Sequence, residues 1–420
     1  MIVLFITYIL IAFFLACRKP TSFFTFYILI STKFLGFFDP ESIFIIGGLG
    51  IATPVLNLVV LVALILYGKL KNIRGRYKGF SLSILMLLLY GIFSPLLFGY
   101  ESIVQSLVAS KELWSIFFFI YLVVFEEKIN ISYMTRVIVK VGLYISIGYI
   151  LHYIFNLHAP FYYNNGVFRA FYPTYISLAW FFVCNKKILK EIKGLHFIFY
   201  SILFIAGLIL AGHFALTLPT ILMITYYFVV LKRQTDLKVK MFFKSILLLI
   251  LGAYLVFLIP NLEYQITAII NNEDIALSSR DIYNAFRWRA IYEKPFFGYG
   301  FIHDSAEITN HFKDINNNRF AEKFGVIDSG YVDILIKFGA VGLVFLLYTW
   351  LKNIFTVLKK LNKYNSLEVL CSLYLLQYLA TTYTWSVFTY NHGLIPGFIA
   401  IFIIINKIEF INSRSYAYVR

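Results

Sequence analysis

Four basic residues lie close together in an otherwise acidic stretch: Arg280, Arg287, Arg289 and Lys294. The stretch, residues 260–330, holds seven Lys and Arg against ten Asp and Glu, so its formal net charge is −3. An arginine side chain stays charged and presents five donors in a rigid fork, which suits bidentate contact with a diphosphate. The cluster therefore predicts a binding site for a phosphate-containing anion.

The arginine positions fit a helix over 280–292, since no Gly or Pro interrupts the chain before Pro295. At about 100° per residue, Arg280 and Arg287 share one face, whereas Arg289 points the opposite way. The alternative is an interfacial amphipathic helix whose arginines contact lipid headgroups.

The sequence PFFGYG (295–300) follows this predicted helix. Gly298 and Gly300 allow a tight backbone and the close approach of another group. A GxG pattern alone is weak evidence for phosphate binding, and its place after a helix excludes a dinucleotide-binding fold. Ten residues separate Arg287 from Gly298, and ten separate Arg289 from Gly300.

Further along, Asp328 lies at the water-facing start of an apolar segment. It is a candidate general base or acceptor-orienting group, although a reference Asp pKa of about 3.9 makes it a weak base unless its surroundings raise that value. The alternative role is a helix N-cap. Asp333 and Lys337 have the i, i+4 spacing of an ion pair.

Three other candidates come from earlier and later parts of the chain. Arg169 lies at the outer edge of an apolar segment, on the side that the positive-inside rule disfavours, so it is a candidate site residue. The alternative is an arginine that extends to the membrane interface. His213 and His392 lie near outer helix ends, where a structural role is the alternative. His303 and His311 have no third ligand at metal spacing, so no metal site is predicted.

The composition shows which elements must position these residues. The chain has 420 residues, is 60% hydrophobic and only 14% charged, against roughly 25% charged in soluble domains. We therefore predict one all-α polytopic membrane domain over 1–420. The apolar runs long enough to span a bilayer are 1–17, 21–38, 42–67, 80–99, 102–125, 134–156, 168–184, 195–212, 214–231, 241–259, 331–351, 366–387 and 390–406.

The distribution of charge predicts the topology. Of 37 Lys and Arg, 26 lie in short connections or tails that recur after every second segment, which is the positive-inside pattern. This pattern explains most of the net charge of +16 and argues against nucleic-acid binding. It places the C-terminus in the cytoplasm and the long 260–330 loop on the opposite side, which is the periplasm in a bacterium.

The order of these motifs resembles the O-antigen ligase/polymerase superfamily, most closely its Wzy-type polysaccharide polymerases. The residues that carry the resemblance are Ser279-Arg280, Tyr283, Pro295 to Gly300, Asp328 to Tyr331, and Gly339 to Leu343. Ligases typically carry His-Asn where this chain has Asp328-Ser329, which favours a polymerase. The family often shows Ser-Arg where this chain has Gly212-His213-Phe214, so the role of that arginine is unassigned.

The resemblance implies a C-type glycosyltransferase fold of about 12–13 transmembrane helices, with an amphipathic helix in one large periplasmic loop. It implies metal-independent, cofactor-free inverting transfer of a glycan from undecaprenyl pyrophosphate to a lipid-linked repeat unit. Lipid-linked oligosaccharide and membrane lipid are the expected partners, and a chain-length regulator is a further candidate. An O-antigen ligase and a lipid-linked oligosaccharide flippase are the alternatives.

The expected location is the bacterial inner membrane, with the active site facing the periplasm. The expected catalytic residues are Asp328, Arg280 and Arg287. The expected substrate-binding residues are Arg169, Arg289, Gly298, Gly300, Tyr331, His213 and His392.

Overall fold

The helices of this chain follow its apolar segments, because backbone polar groups in a bilayer must bond to one another. A computed structural model describes the protein at residues 2–36, 40, 43–46, 49–67, 75–155, 161–164, 167–170, 172–185, 194–231, 287–303, 305–312 and 329–417. The described α-helices are α1 (Ile2–Arg18), α2 (Pro20–Ser31), α3 (Ala52–Tyr67), α4 (Gly75–Leu97), α5 (Ile103–Ser110), α6 (Ile116–Val124), α7 (Ile131–Phe155), α8 (Pro173–Val183), α9 (Gly194–Leu210), α10 (Phe214–Tyr226), α11 (Gly330–Leu358), α12 (Ser366–Thr381) and α13 (Asn391–Ala417).

Five stretches are long and apolar enough to cross a membrane: Tyr77–Leu97, Ile103–Val124, Ile131–Phe155, Gly330–Leu358 and Asn391–Ile408. Seven shorter apolar helices accompany them in the described part of the chain. Together they coincide with twelve of the thirteen predicted segments, and the remaining one, 241–259, lies outside the described residues. The prediction of an all-α polytopic membrane fold is therefore confirmed.

Two short antiparallel hairpins connect helices. Strands β1 (Ile45–Ile46) and β2 (Leu49–Gly50) precede α3, and strands β3 (Phe161–Asn164) and β4 (Val167–Ala170) precede α8. The segments predicted at 42–67 and 168–184 therefore become helical later than expected.

Two other predicted segments also differ from the observed helices. Helix α2 ends at Ser31 rather than at 38, because Lys33, Phe34 and Leu35 have positive φ angles that a right-handed helix does not allow. The segment predicted at 102–125 is divided into α5 and α6 by a 3₁₀ turn at Lys111–Ser115.

Aromatic residues fill the centre of the bundle. Trp350 of α11 is fully buried and contacts Phe80 of α4, Tyr378 of α12 and Phe398 of α13, with ring centroids 5.4 to 6.4 Å apart. Because such rings bury large apolar areas, this cluster joins four helices.

Helix α11 is interrupted at Gly339, whose φ is 64° and ψ −171°. Four backbone hydrogen bonds replace the missing helical ones: Ala340 N to Pro295 O (2.8 Å), Val341 N to Phe296 O (3.1 Å), Tyr299 N to Ile336 O (2.7 Å) and Gly300 N to Lys337 O (2.8 Å). An orphaned buried polar group would cost about 1–3 kcal/mol. The 295–300 segment thus satisfies the backbone groups that the break exposes.

The same segment also bonds to α4. Pro95 has no N–H group, so it leaves Gly91 O without its helical donor. The N–H of Phe301 donates to Gly91 O at 2.7 Å, and the Tyr90 hydroxyl donates to Phe297 O at 2.7 Å. Two irregular helices therefore hold the 295–301 chain by its backbone.

Candidate active site at the outer end of the helix bundle

Several chain corners meet at one end of the bundle, which we call the outer end and define by residues 98–102, 211–213, 329–331 and 382–390. The Thr381 hydroxyl donates to Ala215 O at 3.2 Å, and the Ser329 hydroxyl donates to Tyr383 O at 3.1 Å. The outer end thus joins α10, α11 and α12, which are far apart in sequence.

Four rings, one from the 211–213 corner, two from the 382–390 corner and one from the start of α13, stack in a row that we call the ring column. His213 lies 4.5 Å from Trp385, Trp385 lies 5.0 Å from His392, and His392 lies 5.3 Å from Tyr390, all between centroids. The interplanar angles are 14° to 25°, so the rings are nearly parallel. The structure brings together the two predicted histidines, 179 positions apart, through an aromatic residue that the sequence did not single out.

Polar atoms surround the ring column at the start of α13. The Thr174 hydroxyl donates to His392 O, and Asn391 N donates to Glu112 Oε2 at 3.2 Å. Asn391 Oδ1 and His392 Nε2 are buried and have no hydrogen-bond partner among the described residues. Buried polar atoms are normally bonded, so these two are candidates to bind a polar ligand.

The start of α11 lies against the backbone of the segment that bears Trp385. A Cβ atom on Gly330 would come within 2.7 Å of Trp385 O, so only glycine fits this contact. The Tyr331 hydroxyl donates to Leu379 O at 2.7 Å, which holds this predicted substrate-binding residue against α12. Asp328 itself lies outside the described residues, and the N-cap position of the helix belongs to Ser329.

The arginine segment is helical over 287–293, which agrees with the last part of the helix predicted over 280–292. The first part of that predicted helix lies outside the described residues. Arg287 is half-buried, and Arg289 is exposed with its Nε 3.6 Å from Glu293 Oε1. Arg280 lies outside the described residues. The described backbone places Arg169 opposite Tyr162 in the hairpin that leads into α8.

Gly298 and Gly300 have φ angles of 66° and 80°, which an L-residue rarely adopts. A Cβ on Gly298 would come within 2.5 Å of Ile336 O, and one on Gly300 within 2.5 Å of Pro95 Cδ. The predicted tight backbone and close approach are therefore confirmed. The group they approach is the protein's own backbone, and contact with substrate stays a prediction.

Lys294 lies among three rings. Its Nζ is 3.8 Å from the centroid of Phe98, 4.3 Å from that of Tyr100 and 5.0 Å from that of Tyr299, and it donates to the Tyr100 hydroxyl. Burial and the Glu293 carboxylate raise the pKa of Tyr299, whose hydroxyl donates to Glu293 Oε2 at 3.1 Å. These cation–π contacts anchor the end of the arginine segment to the corner between α4 and α5.

Glu101 connects the same corner to the next part of the loop. Its Oε2 accepts the N–H of His303 at 2.7 Å. Burial raises the pKa of the Glu101 carboxyl to about 7, although hydrogen bonds from His303 and Ser106 oppose the shift. A carboxyl that titrates near neutral pH suits proton transfer, and the sequence analysis missed it because it lies in a short connection.

Asp333 and Lys337 form the ion pair that their spacing predicts, with 2.7 Å between Lys337 Nζ and Asp333 Oδ1. Both side chains are largely buried in the part of α11 before Gly339. In the described part of the chain, no three His, Cys, Asp or Glu side chains come together as a metal site.

The sequence analysis also missed Trp385, Tyr390 and Asn391. They lie in TTYTWSVFTYNH (381–392), a run rich in Thr, Ser and aromatic residues that interrupts the apolar segments. The predicted span extends to 387, whereas α12 ends at Thr381. The polar residues of this run were the available signal.

The fold and outer-end arrangement define a polytopic α-helical membrane protein with a polar, aromatic site at one end. A family model described as O-antigen ligase matches residues 176–347, which confirms the resemblance to the O-antigen ligase/polymerase superfamily. The match supports a glycan-transfer role in O-antigen or polysaccharide assembly. A search of curated proteins finds no significant match.

Proposed function

We propose that this protein is a polysaccharide polymerase of the bacterial inner membrane whose outer end faces the periplasm. The observation that carries the proposal is the contact between the start of α11 and the segment that bears Trp385, because a Cβ on Gly330 would come within 2.7 Å of Trp385 O. Helix α11, which follows the candidate base Asp328 in sequence, thus begins beside the segment that carries part of the ring column.

In the proposed reaction, a hydroxyl of a lipid-linked repeat unit attacks the anomeric carbon of the growing glycan. A new C–O glycosidic bond forms, the bond from that carbon to undecaprenyl pyrophosphate breaks, and the hydroxyl proton passes to Asp328. A single displacement of this kind inverts the anomeric configuration. No metal or cofactor is required.

The arginines stabilise the leaving group in this proposal. Negative charge grows on the pyrophosphate in the transition state, and preorganised cationic donors stabilise it there more than in the ground state. Arg169, Arg280 and Arg287 are the proposed donors, and the exposed Arg289 is a reserve candidate.

The ring column and its polar neighbours bind the glycan. A ring face at an end of the column, at His213 or Tyr390, is not covered by the other rings of the column. Such a face carries negative potential and attracts the positive C–H edges of a neighbouring group, which a pyranose ring supplies. Asn391 Oδ1 and His392 Nε2 then bond to sugar hydroxyls, which satisfies both buried atoms.

Two alternatives use the same elements differently. An O-antigen ligase would transfer the glycan to lipid A core, and the family model that matches bears that description. Asp328-Ser329, where ligases typically carry His-Asn, favours the polymerase. A flippase should carry polar groups near the bilayer midplane, whereas the polar site described here lies at one end of the bundle.

The direct test is polymerisation of a defined lipid-linked repeat unit by the purified protein. A ladder of lipid-linked glycans, unchanged by addition of lipid A core, supports the polymerase. Products on the core alone would indicate a ligase. If neither acceptor gives a glycosidic product and the lipid-linked unit instead moves across the vesicle membrane, the protein is a flippase and not a glycosyltransferase.

A further inference from the structure

The arginine segment carries a row of exposed aromatic side chains, which we call the aromatic row. Its members are Trp288 (41% exposed), Tyr292 (78%), Phe296 (64%) and Phe297 (61%). Trp288 and Tyr292 are one helical turn apart, with ring centroids at 6.2 Å. So many large apolar groups exposed together mark a contact surface rather than scattered exposure.

The backbone hydrogen bonds fix the depth of this row. Phe297 O accepts from Tyr90, which lies seven residues, or about 10 Å, before the end of the α4 span at Leu97. Phe296 O accepts from Val341, which lies inside the α11 span. The Phe296 and Phe297 end of the aromatic row therefore lies beside membrane-spanning helices and not above them.

The apolar surface continues from the aromatic row onto these two helices. The neighbouring exposed side chains are Phe93, Leu97 and Phe98 from the end of α4 and Val341 and Val344 from α11. A surface continuous with transmembrane helices faces the same solvent as they do, which is lipid.

The composition of the row identifies the layer of the bilayer. Tyr and Trp favour the membrane–water interface, where the ring is buried in lipid and the polar group meets headgroups and water. Arg289 follows Trp288 and has 66% of its side chain exposed, and a guanidinium group suits lipid phosphates.

We infer that the aromatic row lies in the headgroup region of the outer leaflet and holds the end of the large loop on the bilayer. Trp288 and Tyr292 contact the interface, and Phe296 and Phe297 enter the adjoining acyl region. The consequence for catalysis rests on the proposed function: Arg287 and Arg289 then lie at the depth of a lipid-linked pyrophosphate, so the substrate need not leave the membrane to meet them.

The test uses the full chain in phospholipid vesicles and Trp288 as the probe. The protein has five tryptophans, so the contribution of Trp288 is the wild-type emission minus that of Trp288→Phe. Vesicles contain lipids brominated near the headgroup end of the acyl chains or near the methyl end. We expect blue-shifted emission that the shallow bromines quench more than the deep ones and that aqueous iodide quenches weakly.

Two variants sharpen this measurement. Phe296→Ser with Phe297→Ser removes only exposed rings and keeps the backbone hydrogen bonds, and we expect it to lower shallow-bromine quenching of Trp288 about twofold. Trp350→Phe is the reference. Trp350 is fully buried, so the emission that this variant loses should be one that iodide does not quench.

Strong iodide quenching of Trp288 with no bromine quenching would overturn the inference. The aromatic row would then face water, as a surface for a water-soluble partner does. Quenching requires no substrate, so this result is independent of activity. If shallow bromines quench Trp288 but loss of both Arg287 and Arg289 leaves polymerisation intact, the membrane contact stands and the proposed clamp fails.

Discussion

Trp385 shows how a single side chain organises the candidate site. Its ring separates two histidines that the sequence placed only near helix ends, and its carbonyl oxygen contacts the start of α11. Because Trp385 is stacked between His213 and His392, Trp385→Leu should disrupt the ring column and, if the column binds the glycan, weaken binding by about 1 kcal/mol, or about fivefold in KM. Initial rates over a range of lipid-linked repeat concentrations measure this change.

Trp385→Tyr is the matched control, because it keeps an aromatic face and should restore most of the affinity. Thermal unfolding of both variants separates binding from folding. An unchanged KM in a stable Trp385→Leu protein would make the column purely structural.

Among the three proposed pyrophosphate donors, Arg287 is the one whose side chain the structure describes. Removing a donor that acts on developing charge lowers the rate constant about 100-fold, so Arg287→Ala should lower kcat far more than it raises KM. Single-turnover polymerisation with normal protein abundance checks this.

Arg136→Ala supplies the comparison, since Arg136 is exposed on α7, within a basic connection (126–140) predicted to be cytoplasmic. Equal activity of the two variants would remove Arg287 from the mechanism.

Glu101 gives a pH-dependent prediction. Its pKa is raised from 4.5 to about 7 in the folded protein. Between these values the unfolded chain loses the proton while the folded chain keeps it, so stability falls as pH rises through this window and the penalty is constant above it. Glu101→Gln keeps an oxygen that can accept the His303 N–H, and it should raise the unfolding temperature at pH 8 and change it little at pH 4.5.

If the unfolding temperatures of the wild type and Glu101→Gln change in parallel between pH 4.5 and pH 8, folding does not raise the pKa of Glu101. Ser305→Ala is the control, because it alters the same polar cluster and leaves the Glu101 carboxyl in place.

At the scale of elements, the break in α11 is the feature that positions the 295–300 segment. A Cβ on Gly339 would overlap the Phe296 carbonyl group, and the φ of 64° is strained for any other residue. Gly339→Ala should destabilise the protein by about 1–3 kcal/mol or more and reduce activity, because it separates the 295–300 segment from the helix.

Gly79→Ala provides the comparison. Nothing lies within 4 Å of a Cβ at this position in α4, and alanine in a helix is favoured over glycine by about 0.5–1 kcal/mol. Reversible unfolding in detergent measures both variants. A Gly339→Ala protein as stable as Gly79→Ala would show that the break is not required.

The elements also explain which motifs the sequence could interpret. Positive φ at Gly298 and Gly300 follows from their lack of a side chain, so a tight turn was predictable. The partner of these glycines is the broken helix α11, about 40 positions further along the chain. Pro95 leaves the Gly91 carbonyl free for Phe301 N, about 200 positions away. No local sequence pattern records such contacts.

At the scale of the molecule, the topology makes a prediction about sidedness. In a Cys17→Ser background, Cys184 and Cys371 are buried, so a new exposed cysteine can be labelled selectively. Glu307→Cys should react with a membrane-impermeant maleimide in intact spheroplasts, because the large loop is predicted to be periplasmic.

Lys360 is exposed just after the other end of α11. Lys360→Cys should therefore react with the same maleimide only after permeabilisation. The reverse pattern would invert the topology and with it the proposed periplasmic site.

The sequence by itself determined the membrane class, twelve helical segments and the Asp333–Lys337 pair, because hydropathy and helical spacing act over short ranges of chain. It also supplied the motif order that the O-antigen ligase match supports. Only the tertiary structure decided that His213, Trp385, His392 and Tyr390 stack. It also decided that the 295–300 segment bonds to the break in α11. These contacts arise when distant helix ends pack together, and packing depends on the whole set of side chains rather than on any local pattern.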